Sequence, residues 1–245
     1  MSSTHFGFQQ VPSEEKETMV QKVFSDVAKD YDLMNNLMSL GMHHLWKDEF
    51  VGDLRPGKVL LDVAGGTGDI SRRFVSMGGG RTSVVCDLNN NMLKIGQSKL
   101  IDDNFPFRDQ IKWVHGNAES LPFDDESFDL YSISFGIRNV TNIEKALSEA
   151  YRVLKLGGKF ICLEFSDVSN PFFSKIYDIY SMKWIPRLGS IVAGEKSAYQ
   201  YLVESIKKFP DANTFAEMIQ KSGFDDVYFK RKTFGVVAIH SGYKK

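Results

Sequence analysis

Two patterns of apolar positions divide the chain. Up to residue 54 the spacing is helical. Met19, Val20, Val23, Phe24 and Val27 recur at three- and four-residue steps and predict a helix over 15–29. Shorter helical stretches follow near 32–39 and 43–53, separated by Gly41. Residues 1–14 show no period and read as an irregular arm. From residue 59 the texture changes. Short apolar runs of strand type at 59–63, 82–87, 111–115, 128–135 and 159–165 alternate with helical patterns at 69–77, 90–101 and 142–154. That alternation predicts right-handed βαβ crossovers, hence a parallel sheet with helices on both faces. A helix at 211–222 then leads into two apolar runs, 226–233 and 235–242. They are joined by almost nothing beyond Phe234-Gly235, and so short a link permits only a hairpin. The prediction is an α/β, Rossmann-like fold: a mostly parallel seven-stranded sheet with an antiparallel terminal hairpin.

Composition narrows the class. The 245 residues are 42% hydrophobic and 25% charged, which excludes a disordered chain. No uncharged apolar run approaches the roughly 18–20 residues of a membrane-spanning helix. A net charge of -1 excludes a whole-protein basic field, so no nucleic-acid partner is expected. The charge is uneven: residues 1–54 balance at -5 and residues 165–245 at +4. These are solvated faces, or the second is a mildly basic surface suited to an anionic membrane or an acidic partner. Cys86 and Cys162 lie in apolar runs with no metal-ligand spacing, as small buried hydrophobes in a reducing compartment. The first residues lack a secretory leader and are too acidic for a transit peptide. The sequence as given is therefore expected to be cytosolic or already stripped of a targeting segment.

The chemistry concentrates at the first strand-to-helix turn, Asp62-Val63-Ala64-Gly65-Gly66-Thr67-Gly68. Gly65, Gly66 and Gly68 suit a tight turn and close approach of a ligand. The helix opening at Asp69 aims free N–H groups into the crevice at the strand ends, where doubly wound sheets bind ligands. The next strand ends at Asp87, an acid placed to accept both hydroxyls of an adenosine ribose. Two cofactors fit this logic. A nicotinamide dinucleotide prefers GxGxxG, but Gly66-Thr67-Gly68-Asp69-Ile70-Ser71 lacks the third glycine and sets a carboxylate beside the phosphates. S-adenosylmethionine carries no phosphate, and Asp62 or Asp69 would help hold its ammonium group. The terminal hairpin favours the methyl donor. At the third strand end Asn117, with the Ala118 backbone beside it, fits an adenine edge. The fourth strand delivers Ser134 and then Gly136-Ile137-Arg138-Asn139 to the same edge.

Other motifs carry less. His43-His44 would diverge by about 100° on a helix and has no third ligand nearby, so no metal site is expected. His115 reads as a structural histidine. Asn139-Val140-Thr141 is a glycosylation sequon by pattern only. Asn170-Pro171-Phe172-Phe173 lacks the second proline of the base-methyltransferase motif and follows the wrong strand.

LDVAGGTGD at 61–69, GNAESLPF at 116–123, SFGIRNV at 134–140 and VLKLGGKF at 153–160 resemble the ubiquinone/menaquinone biosynthesis C-methyltransferases, the UbiE family. So do FSDVAKDYDLMN at 24–35 and SLGMHHLWK at 39–47. THFGF at 4–8 and GVVAIHSGYK at 235–244 resemble its mitochondrial branch, whose members lose a transit peptide. Ala64 departs from the usual first glycine and Leu156 from a usual proline. The resemblance implies S-adenosyl-L-methionine contacts at Thr67, Asp87, Asn117, Ala118 and Ser134, and a catalytic group of Tyr31, Arg138 and Asn139. It implies C-methylation of a polyprenyl hydroquinol ring in ubiquinone biosynthesis. It also implies a place at the matrix side of the mitochondrial inner membrane, with peripheral membrane contact. A homodimer and a multi-protein quinone-biosynthesis complex are the partners expected.

Within that expectation the chain is one methyltransferase domain. It has a helical arm or lid at 1–54, a cofactor core at 55–165, a helical insertion at 166–210 and a closing helix and hairpin at 211–245. In the insertion Phe173, Tyr177, Tyr180 and Trp184 form one helical stripe, broadened by Phe172, Ile176 and Ile179. Such a stripe serves as core or subunit interface, or as a wall for a polyprenyl tail or a membrane face. A guanidinium stays protonated in proteins, so Arg138 is expected to stabilise a developing phenolate while water carries the proton. An NAD-linked oxidoreductase and a non-catalytic scaffold of a quinone-biosynthesis complex are the alternatives.

Overall fold

The computed structural model describes residues 3–28, 35–36, 39–54, 59–166 and 196–245. The helical stretch predicted near 32–39 and the aromatic stripe at 173–184 lie mostly or wholly outside these residues.

Residues 3–14 correct the sequence reading. They form a hairpin, β1 (Ser3–Phe6) paired antiparallel with β2 (Gln9–Pro12), and then enter α1 (Ser13–Asp26). Gly7 turns the hairpin at a φ of +59°, in the left-handed region that glycine tolerates. In β2 only Val11 is buried, so local alternation could not announce a strand. Long-range contacts fix it instead: the Phe6 ring stacks on Tyr201 at 4.2 Å, and the Phe8 N–H donates to Glu204 at 3.0 Å.

α2 (His43–Gly52) leads to the sheet. Then follow β3 (Val59–Val63), α3 (Asp69–Ser76), β4 (Thr82–Asp87), α4 (Asn90–Asp102), β5 (Ile111–His115), β6 (Phe128–Ser134), α5 (Ile143–Val153) and β7 (Leu154–Phe165). The chain closes with α6 (Lys196–Lys208), α7 (Ala212–Lys221), β8 (Asp225–Lys232) and β9 (Val237–Tyr243). The seven strands run in the order β5-β4-β3-β6-β7-β9-β8. β3 to β7 are mutually parallel, whereas β9 is antiparallel to both β7 and β8, as the short Phe234-Gly235 link requires. β7 starts five residues before the predicted 159, because the Gly157 N–H donates to the Lys244 carbonyl and Lys244 returns a bond to Gly158.

Adjacent residues of the strands serve opposite faces, and both faces are apolar, as a sheet covered on two sides demands. Leu60, Val85, Leu130, Ile161 and Leu163 pack with α2, α3, α4 and α6. Leu61, Cys86, Tyr131, Phe160 and Cys162 pack with α5 and α7. Both cysteines are buried and free, as expected, and burial pushes the Cys86 thiol up to about 12. Since β3 is followed by β4 and β5 on one side and by β6 on the other, the order reverses between β3 and β6. That is where doubly wound sheets open a crevice at their carboxyl ends.

His240 in β9 makes acid stability a test of this core. Its Nε2 lies 2.9 Å from the Ala212 carbonyl, so Nε2 must carry the proton. Nδ1 is buried without a partner among the described residues. Burial lowers this imidazole to about 4. The folded state then binds fewer protons than the unfolded chain, so the contribution is intact above the ordinary pKa near 6.5 and is lost as pH falls toward 4. The expected loss by pH 4 is ~3 kcal/mol. Urea unfolding between pH 7 and 4.5 should show a steep fall in wild type and a flatter one in His240→Phe. Parallel curves would refute the assignment.

Candidate active site

Four strand-end loops and one helix line a cavity of about 110 Å³ at the carboxyl edge of the sheet. Ala64 follows β3, Asp87 ends β4, Asn117 and Ala118 follow β5, and Asn139 follows β6. The roof is α1, which offers Glu17, Val20, Gln21 and Phe24 at helical spacing.

The floor is organised by Asp87. One carboxylate oxygen accepts the Gly66 N–H at 2.8 Å and the other the Asn89 N–H at 2.7 Å. Burial pushes the Asp87 carboxyl up, and those N–H groups and His115 pull it back. An ionised carboxylate has about four acceptor positions, so two remain for a ligand. Asn117 donates to Glu17 at 3.0 Å and accepts from the Glu119 N–H at 2.8 Å. His115 contacts the Leu88 carbonyl at 3.0 Å, which is the structural role expected of it.

The glycine turn explains its own composition. Gly66 and Gly68 have φ of +55° and +76°. A Cβ at Gly65 would lie 2.8 Å from Val85 and 2.9 Å from the Asp62 carbonyl. Ala64, the departure from glycine, also has a positive φ, +49°. It sits against Gly136, where a Cβ would fall 2.5 Å from the Ala64 Cβ. Gly136→Ala should therefore force the β3 and β6 loops apart. The expected cost is about 1–3 kcal/mol in stability, with weaker binding of S-adenosylhomocysteine by calorimetry. Adding Ala64→Gly should restore both, because it removes the opposing methyl. If the second substitution rescues nothing, that contact is not the cause.

Neither acid proposed for an ammonium group lines the cavity. Asp62 is buried beneath the turn and accepts from Ser71 at 2.9 Å and Ser132 at 2.8 Å; burial raises its carboxyl to about 6 despite those bonds. Asp69 points toward α2 and pairs with Lys47 and Arg73, each at 2.9 Å. Burial would raise it, but the two cations hold it down at about 2. Thr67 is half-buried beside the turn and does not line the cavity. Ser134, at the end of β6, buries its hydroxyl without a partner among the described residues. His43 and His44 contact Asn36 and Arg73.

Arg138 and Asn139 share a single 3-10 turn after β6. Arg138 is buried and pairs with Glu164 at 2.8 Å, an interior ion pair. Its Nη1 also donates to the Phe135 carbonyl, and its Nε has no partner among the described residues. Asn139 accepts from the Tyr201 hydroxyl at 3.0 Å. Asn139 lines the cavity, whereas Arg138 does not and instead borders a neighbouring pocket with Lys16 and Tyr201; Tyr31 lies outside the described residues.

Sequence reasoning missed the latch between arm and core. Asn89 accepts from Asn91 and Met92 to cap α4, while its amide donates to the Gln21 carbonyl and Ser25 hydroxyl of α1. Lys16 donates to the Val140 carbonyl at 2.8 Å. The one local signal was Asn89-Asn90-Asn91 directly after a strand.

Comparison with known proteins places this arrangement. Residues 12–244 match the model of the ubiE/COQ5 methyltransferase family. The chain is 52% identical to the ubiquinone/menaquinone biosynthesis C-methyltransferase UbiE of Rhodopseudomonas palustris, covering 99% of this chain and 97% of that one. It is 48% identical to the human mitochondrial 2-methoxy-6-polyprenyl-1,4-benzoquinol methylase, covering 99% of this chain and 85% of that one. Among solved structures, an S-adenosylmethionine-dependent methyltransferase from Thermotoga maritima superposes with a TM-score of 0.61 at 21% identity, covering 91% of this chain and 99% of that one. Phosphoethanolamine N-methyltransferase 2 of Haemonchus contortus, in complex with S-adenosyl-L-methionine, gives 0.59 at 17% identity over 83% and 52%. At such identities these two share the fold alone. Fold, strand-end cavity and the match along almost the whole chain agree: this protein belongs to the ubiE/COQ5 methyltransferase family.

Proposed function

We propose that this enzyme methylates a ring carbon of a 2-methoxy-6-polyprenyl-1,4-benzoquinol in ubiquinone biosynthesis, with S-adenosyl-L-methionine as methyl donor. The observation that carries the reading is one cavity lined by Asp87, Asn117 and Asn139 from three strand ends, in a chain so similar to quinol methylases.

The residues fit the cofactor. Asp87 has free acceptor positions for ribose hydroxyls, and Asn117 and the Ala118 backbone sit beside it for an adenine edge. The orphaned Ser134 hydroxyl and the Gly65-Gly66-Thr67-Gly68 turn lie behind this lining, the turn being tied to Asp87 through the Gly66 N–H. Asp62 acts from below, holding Ser71 and Ser132 rather than touching the ligand. When bound, the cofactor supplies a methyl group on a sulfonium, an electrophile that needs no metal.

This chain's own work is to bind, orient and stabilise charge. A hydroquinol ring becomes nucleophilic at carbon as one hydroxyl loses its proton, and once that carbon carries the new methyl its ring C–H proton leaves to restore the aromatic ring. Arg138 stabilises the resulting phenolate, and water carries the proton away, since the guanidinium cannot accept it. Asn139, fixed by Tyr201, and Tyr31 orient that water or the substrate oxygen. The arm at 1–54 acts as a lid through α1. The insertion at 166–210 holds the polyprenyl tail or a second subunit of a homodimer.

The reading places the protein in the mitochondrion, at the matrix side of the inner membrane and within a multi-protein quinone-biosynthesis complex. The mitochondrial relatives support the compartment. No described helix is long and apolar enough to cross a membrane; the contact proposed is peripheral. The test is a methyl-transfer assay on short-tailed substrates in both redox states. Reduced benzoquinol should be methylated and the oxidised quinone should be inert. Equal rates on both forms, or turnover confined to naphthoquinols, would defeat the proposal.

A further inference from the structure

The turn that carries Arg138 and Asn139 is held from behind by one carboxylate. We propose that Glu164 is a positioning residue for the methyl transfer, acting through Arg138; this rests on the role given to Arg138 above.

Glu164 is the second-to-last residue of β7, in the run Phe160-Ile161-Cys162-Leu163-Glu164-Phe165, and is 1% exposed. A carboxylate in so apolar a strand is costly, and a buried ion pair is often no more stabilising than well-packed apolar residues in its place. Stability alone therefore does not account for it. Its contacts converge on one target. Oε1 accepts from Arg138 Nη1 at 2.8 Å and from the Phe165 N–H at 2.9 Å. Oε2 faces the Arg138 backbone N–H at 3.4 Å. One side chain thus restrains the main chain and the guanidinium of the same residue.

The remaining contacts complete the alignment. The guanidinium lies 5.5 Å from the centre of the Phe165 ring, which limits its swing. Because the pair is neutral overall, the turn can be buried beside the reaction. Burial pushes the Glu164 carboxyl up and Arg138 draws it back. On the far side, Tyr201 holds Asn139. Arg138 and Asn139 are therefore set by Glu164 and Tyr201; of these four only Asn139 lines the cofactor cavity.

The experiment is a double-mutant cycle between Glu164 and Arg138, with kcat measured by labelled methyl transfer to a short-tailed benzoquinol. Glu164→Gln should lower kcat about thirtyfold, with the KM for the quinol and the affinity for S-adenosylhomocysteine changed by less than threefold. In an Arg138→Ala background the same substitution should lower kcat no further. Glu164→Asp, which keeps the charge but shortens the reach, serves where the glutamine variant does not fold. It should lose about tenfold in kcat with the same coupling. Overturning results are wild-type kcat in either variant, or an equal loss in both backgrounds, the mark of a general structural role. If Arg138→Ala alone keeps full activity, the reading of Arg138 fails first, and the cycle shows that separately.

Discussion

Arg138→Lys should lower kcat about a hundredfold, the scale of losing one preorganised donor at a developing oxyanion, while S-adenosylhomocysteine affinity stays within about twofold. The substitution keeps the positive charge and removes the planar fork. In the structure Nη1 is engaged by Glu164 and by the Phe135 carbonyl, which fixes the plane of the guanidinium. A lysine ammonium has no such plane. If it pairs with Glu164, it has no second, rigidly placed donor for the substrate oxygen. Steady-state kinetics with calorimetric binding separates the terms. Near-normal turnover would show that charge alone suffices and that the fork is not used.

Asp87→Asn should weaken S-adenosyl-L-methionine binding about a hundredfold, in line with roughly 1.5–3 kcal/mol for each charge-assisted hydrogen bond removed. The change looks conservative and is not. Each Asp87 oxygen already accepts a backbone N–H, from Gly66 on one side and Asn89 on the other. An amide offers one oxygen, so its NH2 would face one of those donors. Whichever way it turns, either the glycine turn or the start of α4 loses its anchor. Asp87→Ala, which removes both anchors, should cost at least as much as Asp87→Asn. Titration calorimetry on both variants decides this, and a mild effect in the asparagine variant would mean that Asp87 does not hold both loops.

These predictions rest on features that differ in how far the sequence announces them. The strands at 59–63 and 159–165 are mostly apolar runs, legible because both faces of the sheet are buried there. The terminal hairpin follows from a link too short for a crossover. Asp87 and Asn117 are legible because strand ends on one edge share one crevice. The Arg138–Glu164 pair was not: the two are 26 residues apart, and only the odd carboxylate in an apolar strand hinted at it. The roof of the cavity depends on Glu17 reaching Asn117 across 100 residues, and the N-terminal hairpin on Glu204 across 196. Such contacts have no local period to read. Asp62 shows the opposite error. Its place in the motif suggested a ligand contact, whereas its burial makes it a support for Ser71 and Ser132.

The central claim is that this fold delivers a methyl group to carbon. The most direct measurement uses S-adenosyl-L-methionine carrying a ¹³C methyl, a short-tailed 2-methoxy-6-polyprenyl-1,4-benzoquinol and NMR of the product. The account predicts a single labelled methyl bonded to a ring carbon. A label on a ring oxygen, or no labelled product from enzyme that binds S-adenosylhomocysteine, would contradict it.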